Sequence, residues 1–280
     1  MASNMTRDDK VTLEYRDTLA IITLNNPTKL NALTKDLYYQ LATFLYEVAA
    51  RDEILVTLLI GRGRFFSAGA DVSVSRKQPP GTDLYRHFLT YTVASNLNLA
   101  RAFYMHPKIL VTALNGPVIG MSAAMIAYSD FIYAVPHAYL QTPFASLGLV
   151  AEGGASAAFV ERMGIAKANK ALIQGRRLGA EELLSCGFVD RVFTTDGGDE
   201  AAFERAVLDE IKDGFGDHLN GESMLRIKAL IRGKQRRDLH AQNVEEVFEG
   251  MARSVAGIPQ QQFEKVRLRN LQKSKAKSKL

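Results

Sequence analysis

One cysteine, Cys186, stands in the whole sequence, so neither an intramolecular disulfide nor a cysteine metal cage can form. Histidine is nearly as sparse. His87, His106, His137, His218 and His240 are scattered, with none of the HxH or HxxxH spacings that bring two imidazoles to one ion, and no metal site is expected. Long apolar runs are missing too. Leu55 to Ile60 and Ile109 to Leu114 are strand-sized, far short of the roughly 20 residues of a bilayer-spanning helix. The opening MASNMTRDDK has no apolar core and mixes acid with base, the composition of neither a secretory signal nor an acid-free transit peptide. Absent as well are a Gly-x-Gly-x-x-Gly order with a downstream acid and a Gly-Lys-Ser/Thr loop, so nucleotide cradles fit poorly.

What is there is an ordinary globular composition. With 280 residues, 47% apolar and 23% charged, the chain can bury a full core as one large domain or one domain with a helical appendage. The formal charge is +5 and the pI about 9.2. Much of the excess lies at the C-terminus, in Lys265, Arg267, Arg269, Lys273, Lys275, Lys277 and Lys279. Such a tail is either a solvated extension or a lure for an anionic partner, a phosphorylated ligand or nucleic acid. No aromatic residues interleave with the terminal lysines, so nucleic acid is not the expected partner.

The first half alternates strand and helix signals. Thr18 to Leu24 is β-branched and apolar and ends at Asn25-Asn26-Pro27. Thr34 is a plausible N-cap for a helix from Lys35 to about Ala50, where Leu37, Leu41, Leu45 and Val48 recur at helical spacing. Strands are expected at Leu55 to Ile60, Ile109 to Leu114, Phe131 to Val135 and Ala138 to Thr142, with a long helix from Tyr85 to His106. Lys77-Gln-Pro-Pro-Gly81 marks Ser73 to Asp83 as irregular. From Gly153 on, helices dominate: Ala155 to Met163, Ala166 to Gln174, Ala180 to Ser185, Glu200 to Asp213, Glu222 to Arg232, Gln242 to Ala256 and Gln261 to Gln272, with one strand at Phe188 to Phe193. This order suggests an α/β core with a helical C-terminal layer.

Two glycine loops about fifty residues apart carry the chemical signal. Gly63-Arg-Phe-Phe-Ser-Ala-Gly-Ala-Asp71 and Asn115-Gly-Pro-Val-Ile-Gly-Met-Ser-Ala-Ala124 each follow an apolar strand. Small residues leave main-chain N–H groups uncovered, and the second loop runs into a helix start. Brought together, the loops could aim two N–H groups at one oxygen, an oxyanion hole for an enolate or tetrahedral intermediate.

These loops, their spacing, the segment Thr142-Pro-Phe-Ala-Ser-Leu-Gly-Leu-Val-Ala-Glu-Gly-Gly154, and Asn26-Pro27 with Leu30-Asn31-Ala32-Leu33 together resemble the crotonase (enoyl-CoA hydratase/isomerase) superfamily over about Leu13 to Arg191. The resemblance implies an α/β spiral of ββα turns over residues 1–200, a helical trimerisation region over 201–272 and a basic tail over 273–280. It implies acyl-CoA thioesters as substrates, a homotrimer or homohexamer, and no cofactor, coenzyme A being part of the substrate. The hole would be formed by the backbone N–H groups of Ala70 and Met121, with Ala68, Gly69, Ala70, Asp71, Val72 and Met121 around the substrate. Hydratases of the family carry glutamates where this chain has Ala124 and Phe144, so two-glutamate water addition is not available. Glu152, in its apolar, glycine-rich setting, resembles the single base of Δ3-Δ2-enoyl-CoA isomerases, particularly the peroxisomal type. Dienoyl-CoA isomerases need a second acid at the Phe144 position and an aspartate at the Glu152 position, and fit less well. An RNA-binding protein of this fold is the alternative of another class.

The other reading of Glu152 is a helix-start carboxylate that only complements the dipole of the helix at Ala155. Asp71 and Asp130 read as structural. Asn96 could orient Glu152 or be an ordinary exposed amide. Arg62, Arg64 and Lys29 could meet CoA phosphates or simply be solvated, and Met125 and Tyr128 belong with the core. The sequence ends Ser278-Lys279-Leu280, the tripeptide read by the peroxisomal import receptor, so a peroxisomal matrix address is expected.

Overall fold

Each turn of the chain gives one strand to a larger sheet, one short extended segment to a second layer, and then a helix. The computed structural model describes residues 7–71, 79–195 and 199–277. Strand β1 (Val11–Arg16) pairs antiparallel with β2 (Leu19–Leu24). After β2 comes Leu33 in the second layer, then helix α1 (Lys35–Ala49). Strand β3 (Val56–Gly61) leads to the segment Ser67 to Ala70, and beyond it lie α2 (Leu84–Phe88), a π-helical turn (Leu89–Val93) and α3 (Ala94–Tyr104). Strand β4 (Ile109–Leu114) leads to β5 (Val118–Ile119) and α4 (Gly120–Ile126). Strand β6 (Phe131–Ala134) leads to β7 (Tyr139–Gln141) and α5 (Ala155–Leu172). The chain then adds β8 (Leu178–Gly179), α6 (Ala180–Ser185), β9 (Arg191–Val192), α7 (Glu200–Gly214), α8 (Gly221–Val255) and α9 (Ile258–Lys277).

The larger sheet has the order β1-β2-β3-β4-β6-β9 and is parallel from β2 onward. Every residue of β3 and β4 is buried, as expected of central parallel strands covered on both faces. In the second layer Leu33 bridges Ala70, Ser67 bridges Val118, β5 pairs β7 and β7 pairs β8. This is the expected α/β spiral of ββα turns, with the helical region following it. The register explains why loops distant in sequence become neighbours: they are equivalent segments of consecutive turns.

Local chemistry fixes the turns. The Thr34 hydroxyl caps α1 by accepting from Leu37 N–H at 3.3 Å, and Leu37, Leu41, Phe44, Leu45 and Val48 face the core. Each such apolar side chain contributes about 1.5–3 kcal/mol on burial. Asn31, 1% exposed and at φ 53°, donates to the carbonyls of Arg62 and Phe65 at 2.8 Å, while its Oδ1 accepts from Asn26 N–H at 2.7 Å. Asparagine tolerates that left-handed backbone, and its amide ties the first turn to the first glycine loop.

Several boundaries differ from the sequence reading. Strand β1 is additional; its alternating Val11, Leu13 and Tyr15 turn toward the protein. The helix expected at Tyr85 to His106 is divided by the π-helical turn. The two helices expected on either side of residue 164 form one element broken at Gly164, which has φ 74° and ψ 158°. The expected strand at Phe188 to Phe193 shrinks to β9. Helix α8 runs unbroken through residues 233–241, where two helices were expected. That stretch is polar but has no proline, and a single Gly233 costs only about 1 kcal/mol. The C-terminal helix extends to Lys277, past the expected end at Gln272.

A buried ionic cluster anchors α8. Asp130 accepts from Leu110 N–H at 2.8 Å and pairs with Lys228 at 2.6 Å and Arg232 at 3.1 Å. This matches the structural reading of Asp130. His106 lies near the same cluster, 2% exposed, with Nε2 2.8 Å from Thr57 Oγ1. Burial, reinforced by Lys228 and Lys108, lowers its pKa from 6.5 to about 3. The folded protein therefore keeps His106 neutral where the unfolded chain binds a proton, so stability is lost as pH falls from 6.5 toward 3. The slope is about 1.4 kcal/mol per pH unit for one proton. Denaturant unfolding of His106→Gln across this range should show a pH slope smaller by about one proton than that of the unsubstituted protein.

Candidate active site

The two glycine loops touch backbone to backbone. A Cβ on Gly69, whose φ is +84°, would lie 2.7 Å from the Ile119 carbonyl oxygen, and one on Gly116 would lie 2.3 Å from the Arg64 carbonyl oxygen. Only glycine permits this approach. Ser67 N–H donates to the Pro117 carbonyl at 3.3 Å and Ile119 N–H to the Ser67 carbonyl at 2.9 Å, which locks the loops in parallel register.

Ala70 lies in a second parallel bridge. Leu33 N–H donates to the Gly69 carbonyl and Asp71 N–H donates to the Leu33 carbonyl, both at 2.9 Å. In that pattern the bonds to Leu33 come from the residues flanking Ala70, and Ala70's own N–H points away from Leu33. Ala70 as a residue is exposed. Met121 is the second residue of α4, where a helix has no internal acceptor for its N–H. Beside it Gly120, at φ +61°, has open space on its Cβ side. The structure thus brings together the two segments expected to carry the amides.

The segment that bears Glu152 comes to α4 from the fourth turn. Gly153 has φ +73°, and a Cβ there would lie 2.3 Å from Met125 Cε and 3.1 Å from Met121 Sδ. The carboxylate-bearing residue is therefore next to the helix that presents Met121. Tyr128 donates its hydroxyl proton to the Gly153 carbonyl at 2.5 Å, which fixes this turn from inside the core. Met125 and Tyr128 are core residues, as read from the sequence.

The dipole of α5 is served by a different acid. Glu246, from α8, accepts from Gly154 N–H at 2.6 Å and Ser156 N–H at 2.8 Å. Burial raises its pKa, while the Ser156 side chain and these backbone donors oppose the rise. Glu246 thus caps the start of α5. Sequence alone could not find it, because its partners are 90 and 92 residues away. Glu152 itself is half-buried. Tyr38 stands near it, a phenol raised above its ordinary range chiefly by burial, with the charge of Glu152 adding to the effect.

Other expected residues fall as follows. Ala124 and Phe144 are both buried, at 0% and 3% exposure. Asp71 pairs with Lys29 at 3.1 Å, a structural link that also occupies one candidate for CoA phosphate binding. Arg62 is held by Glu204 and lies 3.8 Å from Glu200, so its charge is committed to α7. Asn96 is half-buried on α3. Ala68 N–H donates to the Leu30 carbonyl at 2.8 Å. Val72, Ser278, Lys279 and Leu280 lie outside the described residues. A separate cleft of about 270 Å³, lined by Gly63, Arg64, Asn115, His137 and Glu200 among others, includes neither Glu152 nor Met121. Among the described residues no cluster of histidine, cysteine and carboxylate could hold a metal, and no helix is long and apolar enough to cross a membrane.

Proton transfer next to a carbonyl whose oxygen takes up charge requires amide donors and a carboxylate, and these segments supply residues of both kinds. The chain belongs to the enoyl-CoA hydratase/isomerase family, whose sequence model matches residues 14–250. It is 52% identical over 266 residues to a Delta(3,5)-Delta(2,4)-dienoyl-CoA isomerase of Pyricularia oryzae, with 91% of this chain and 95% of that protein covered. It is 31% identical to the 3,2-trans-enoyl-CoA isomerase of Saccharomyces cerevisiae, with 94% and 96% covered. It is 30% identical to the mouse (Mus musculus) protein named enoyl-CoA delta isomerase 3, peroxisomal, with 100% and 83% covered. Among solved structures, an enoyl-CoA hydratase/isomerase from Pseudoalteromonas atlantica superimposes with a TM-score of 0.77 at 28% identity, over 94% of this chain and 98% of the other.

Gly69→Ala tests the loop contact. Strain at φ +84° and the collision with the Ile119 carbonyl should cost at least about 1–3 kcal/mol in denaturant unfolding.

Proposed function

We propose that the protein is a Δ3-Δ2-enoyl-CoA isomerase that uses Glu152 as a single shuttling base. The observation that carries this reading is the placement of Glu152 beside the Met121 helix while Glu246 takes the cap of α5. In the proposed step the carboxylate removes a proton from carbon 2 of a 3-enoyl-CoA. The electron pair moves into the dienolate, the thioester oxygen takes the negative charge, and the N–H groups of Ala70 and Met121 receive it. The protonated Glu152 then returns the proton to carbon 4. Both carbons present one face of a planar dienolate, so one carboxylate can serve both. Each amide donor is worth about 3–4 kcal/mol at the barrier. The shift is redox-neutral and needs no cofactor beyond the coenzyme A of the substrate. Ala124 and Phe144 cannot move protons, which argues against hydration.

The name of the Pyricularia oryzae relative favours a second reading, conversion of 3,5-dienoyl-CoA to 2,4-dienoyl-CoA. That reaction removes the carbon-2 proton and delivers one to carbon 6, a longer span that a second acid at the position of Phe144 would serve. Incubation with 3-hexenoyl-CoA and with a 3,5-dienoyl-CoA separates the readings: the first substrate should give conjugated 2-enoyl-CoA at the higher kcat/KM. Preference for the dienoyl substrate would replace the proposal with the second reading.

With 3-hexenoyl-CoA, Glu152→Gln should lower kcat by about 10²–10⁴-fold, the usual worth of a general base, with acyl-CoA binding retained. A variant keeping most of its kcat would remove Glu152 from the mechanism. The name of the mouse relative supports a peroxisomal location. An N-terminal fluorescent fusion should enter peroxisomes in cells lacking the native protein, and deletion of Leu280 should leave it in the cytosol with unchanged activity.

A further inference from the structure

Three hydroxyls are linked in sequence between α1 and the two glycine loops. Tyr38, on α1, lies 3.0 Å from the Ser122 hydroxyl, and Ser122 lies 2.9 Å from the Ser67 hydroxyl. Ser67 donates to the Asn31 carbonyl at 2.8 Å and accepts from Gly69 N–H at 3.1 Å. Ser122 directly follows Met121, and Ser67 stands three residues before Ala70. The two serines are 0% and 4% exposed, so no bulk water replaces these partners.

The protons in this chain have only one arrangement. A hydroxyl has a single hydrogen to give. That of Ser67 goes to the Asn31 carbonyl, so Ser122 must donate to Ser67, and Tyr38 must then donate to Ser122. The chain is directed from α1, through the start of α4, into the first glycine loop, and ends on a carbonyl of the first turn. It joins three turns of the spiral at the point where the amides converge.

We propose that Ser122 is a positioning residue: by accepting from Tyr38 and donating to Ser67 it sets the spacing of the Ala70 and Met121 N–H groups on the substrate's thioester oxygen. The inference rests on the reading of those amides as the oxyanion hole. The packed glycines let the loops approach and their steric contact fixes a minimum distance, while the backbone bonds of Ser67 and Ile119 tie the loops at one end. The directed hydroxyl chain fixes the distance from the other side as well. Charge on the thioester oxygen is greatest in the dienolate, so a loosened hole weakens the transition state more than the bound ground state. The same chain commits the only hydrogen of Tyr38 to Ser122, leaving just its oxygen lone pairs for other neighbours.

The test is a cycle of Ser122→Ala, Tyr38→Phe and the double variant, read by two methods. The first is turnover of 3-hexenoyl-CoA. Ser122→Ala should lower kcat about tenfold or more, given that misplacements of about 1 Å reach 10²-fold, with KM within about threefold. The double variant should fall no more than about twofold below Ser122→Ala, because residues of one chain are non-additive. The second readout is the ultraviolet absorbance of enolised acetoacetyl-CoA, which reports charge on the thioester oxygen without turnover. The unsubstituted protein should enrich the enolate, and Ser122→Ala should reduce that enrichment about tenfold, the scale of a partly lost donor. Tyr38→Phe alone should lower both readouts at unchanged KM, and it decides the matter if Ser122→Ala does not fold. Unchanged kcat and enolate in the variants, or losses that simply add, would overturn the positioning role. An enolate signal without 3-hexenoyl-CoA turnover would overturn the proposed substrate and leave the positioning role to the enolate readout. Absence of both in the unsubstituted protein would overturn the two together.

Discussion

The contact between the first and second glycine loops is the constraint on which the rest of the structure depends. At Gly69 and Gly116 one main chain lies where a side chain would otherwise stand, 2.7 and 2.3 Å from the opposing carbonyl oxygens. Consecutive turns of the spiral can stack only because these positions carry no Cβ. Stacking at this distance brings Gly69, which precedes the exposed Ala70, against Ile119 and Gly120 at the start of α4. The same interaction therefore closes the second layer of the fold and forms the candidate site. A substitution that opened the contact would damage both together.

Polar groups buried around this contact act mostly as ties between distant parts of the chain. Asn31 holds the first turn to the first loop, Asp130 holds α8 through Lys228 and Arg232, and Glu246 holds the start of α5. Buried ions of this kind stabilise only when fully paired, and removing one partner leaves the other uncompensated. Their use here is geometric. Through Asp130 and Glu246, α8 grips both the turn before β6 and the turn carrying Glu152, so the helical C-terminal region helps shape the site from behind. Gly148, on the same segment as Glu152, packs against Ile258 and Gln262 of α9, and its carbonyl accepts from Arg253 at 2.7 Å. The segment that bears the carboxylate is thus fixed from three sides.

Family membership is compatible with several proton-transfer reactions, and the balance among them turns on how many acids reach the substrate. Alanine and phenylalanine at positions 124 and 144, both buried, cannot carry protons. Glu152 is left beside a site rich in methionine and glycine. The proposed single base would make a short proton transfer along one face of a conjugated enolate. The longer transfer suggested by the name of the Pyricularia oryzae relative would need the proton to travel farther or a second carrier to take part. The proposed reaction follows from this economy of acids rather than from the fold, which many acyl-CoA chemistries can share.

Local chemistry made much of the protein readable in advance. The capped helix after Thr34, the apolar parallel strands, the break at Gly164 and the glycine loops were legible because each rests on spacing, on a cap or on the freedom of glycine over a few neighbouring residues. Element ends were less legible where continuity depended on distant partners. Helix α8 crosses the polar residues 233–241 because Lys228 and Arg232 before them and Leu239 and Asn243 at their end are seated in the protein. The sequence by itself determined which residue types could carry the chemistry, since side-chain size and acidity are local properties. Only the tertiary structure decided which carboxylate caps α5, which arginine and lysine are already paired, and that Tyr38, Ser122 and Ser67 share one hydrogen-bonded chain. Those assignments depend on distances between segments up to 142 residues apart, and distance across a fold is set by packing rather than by spacing along the chain.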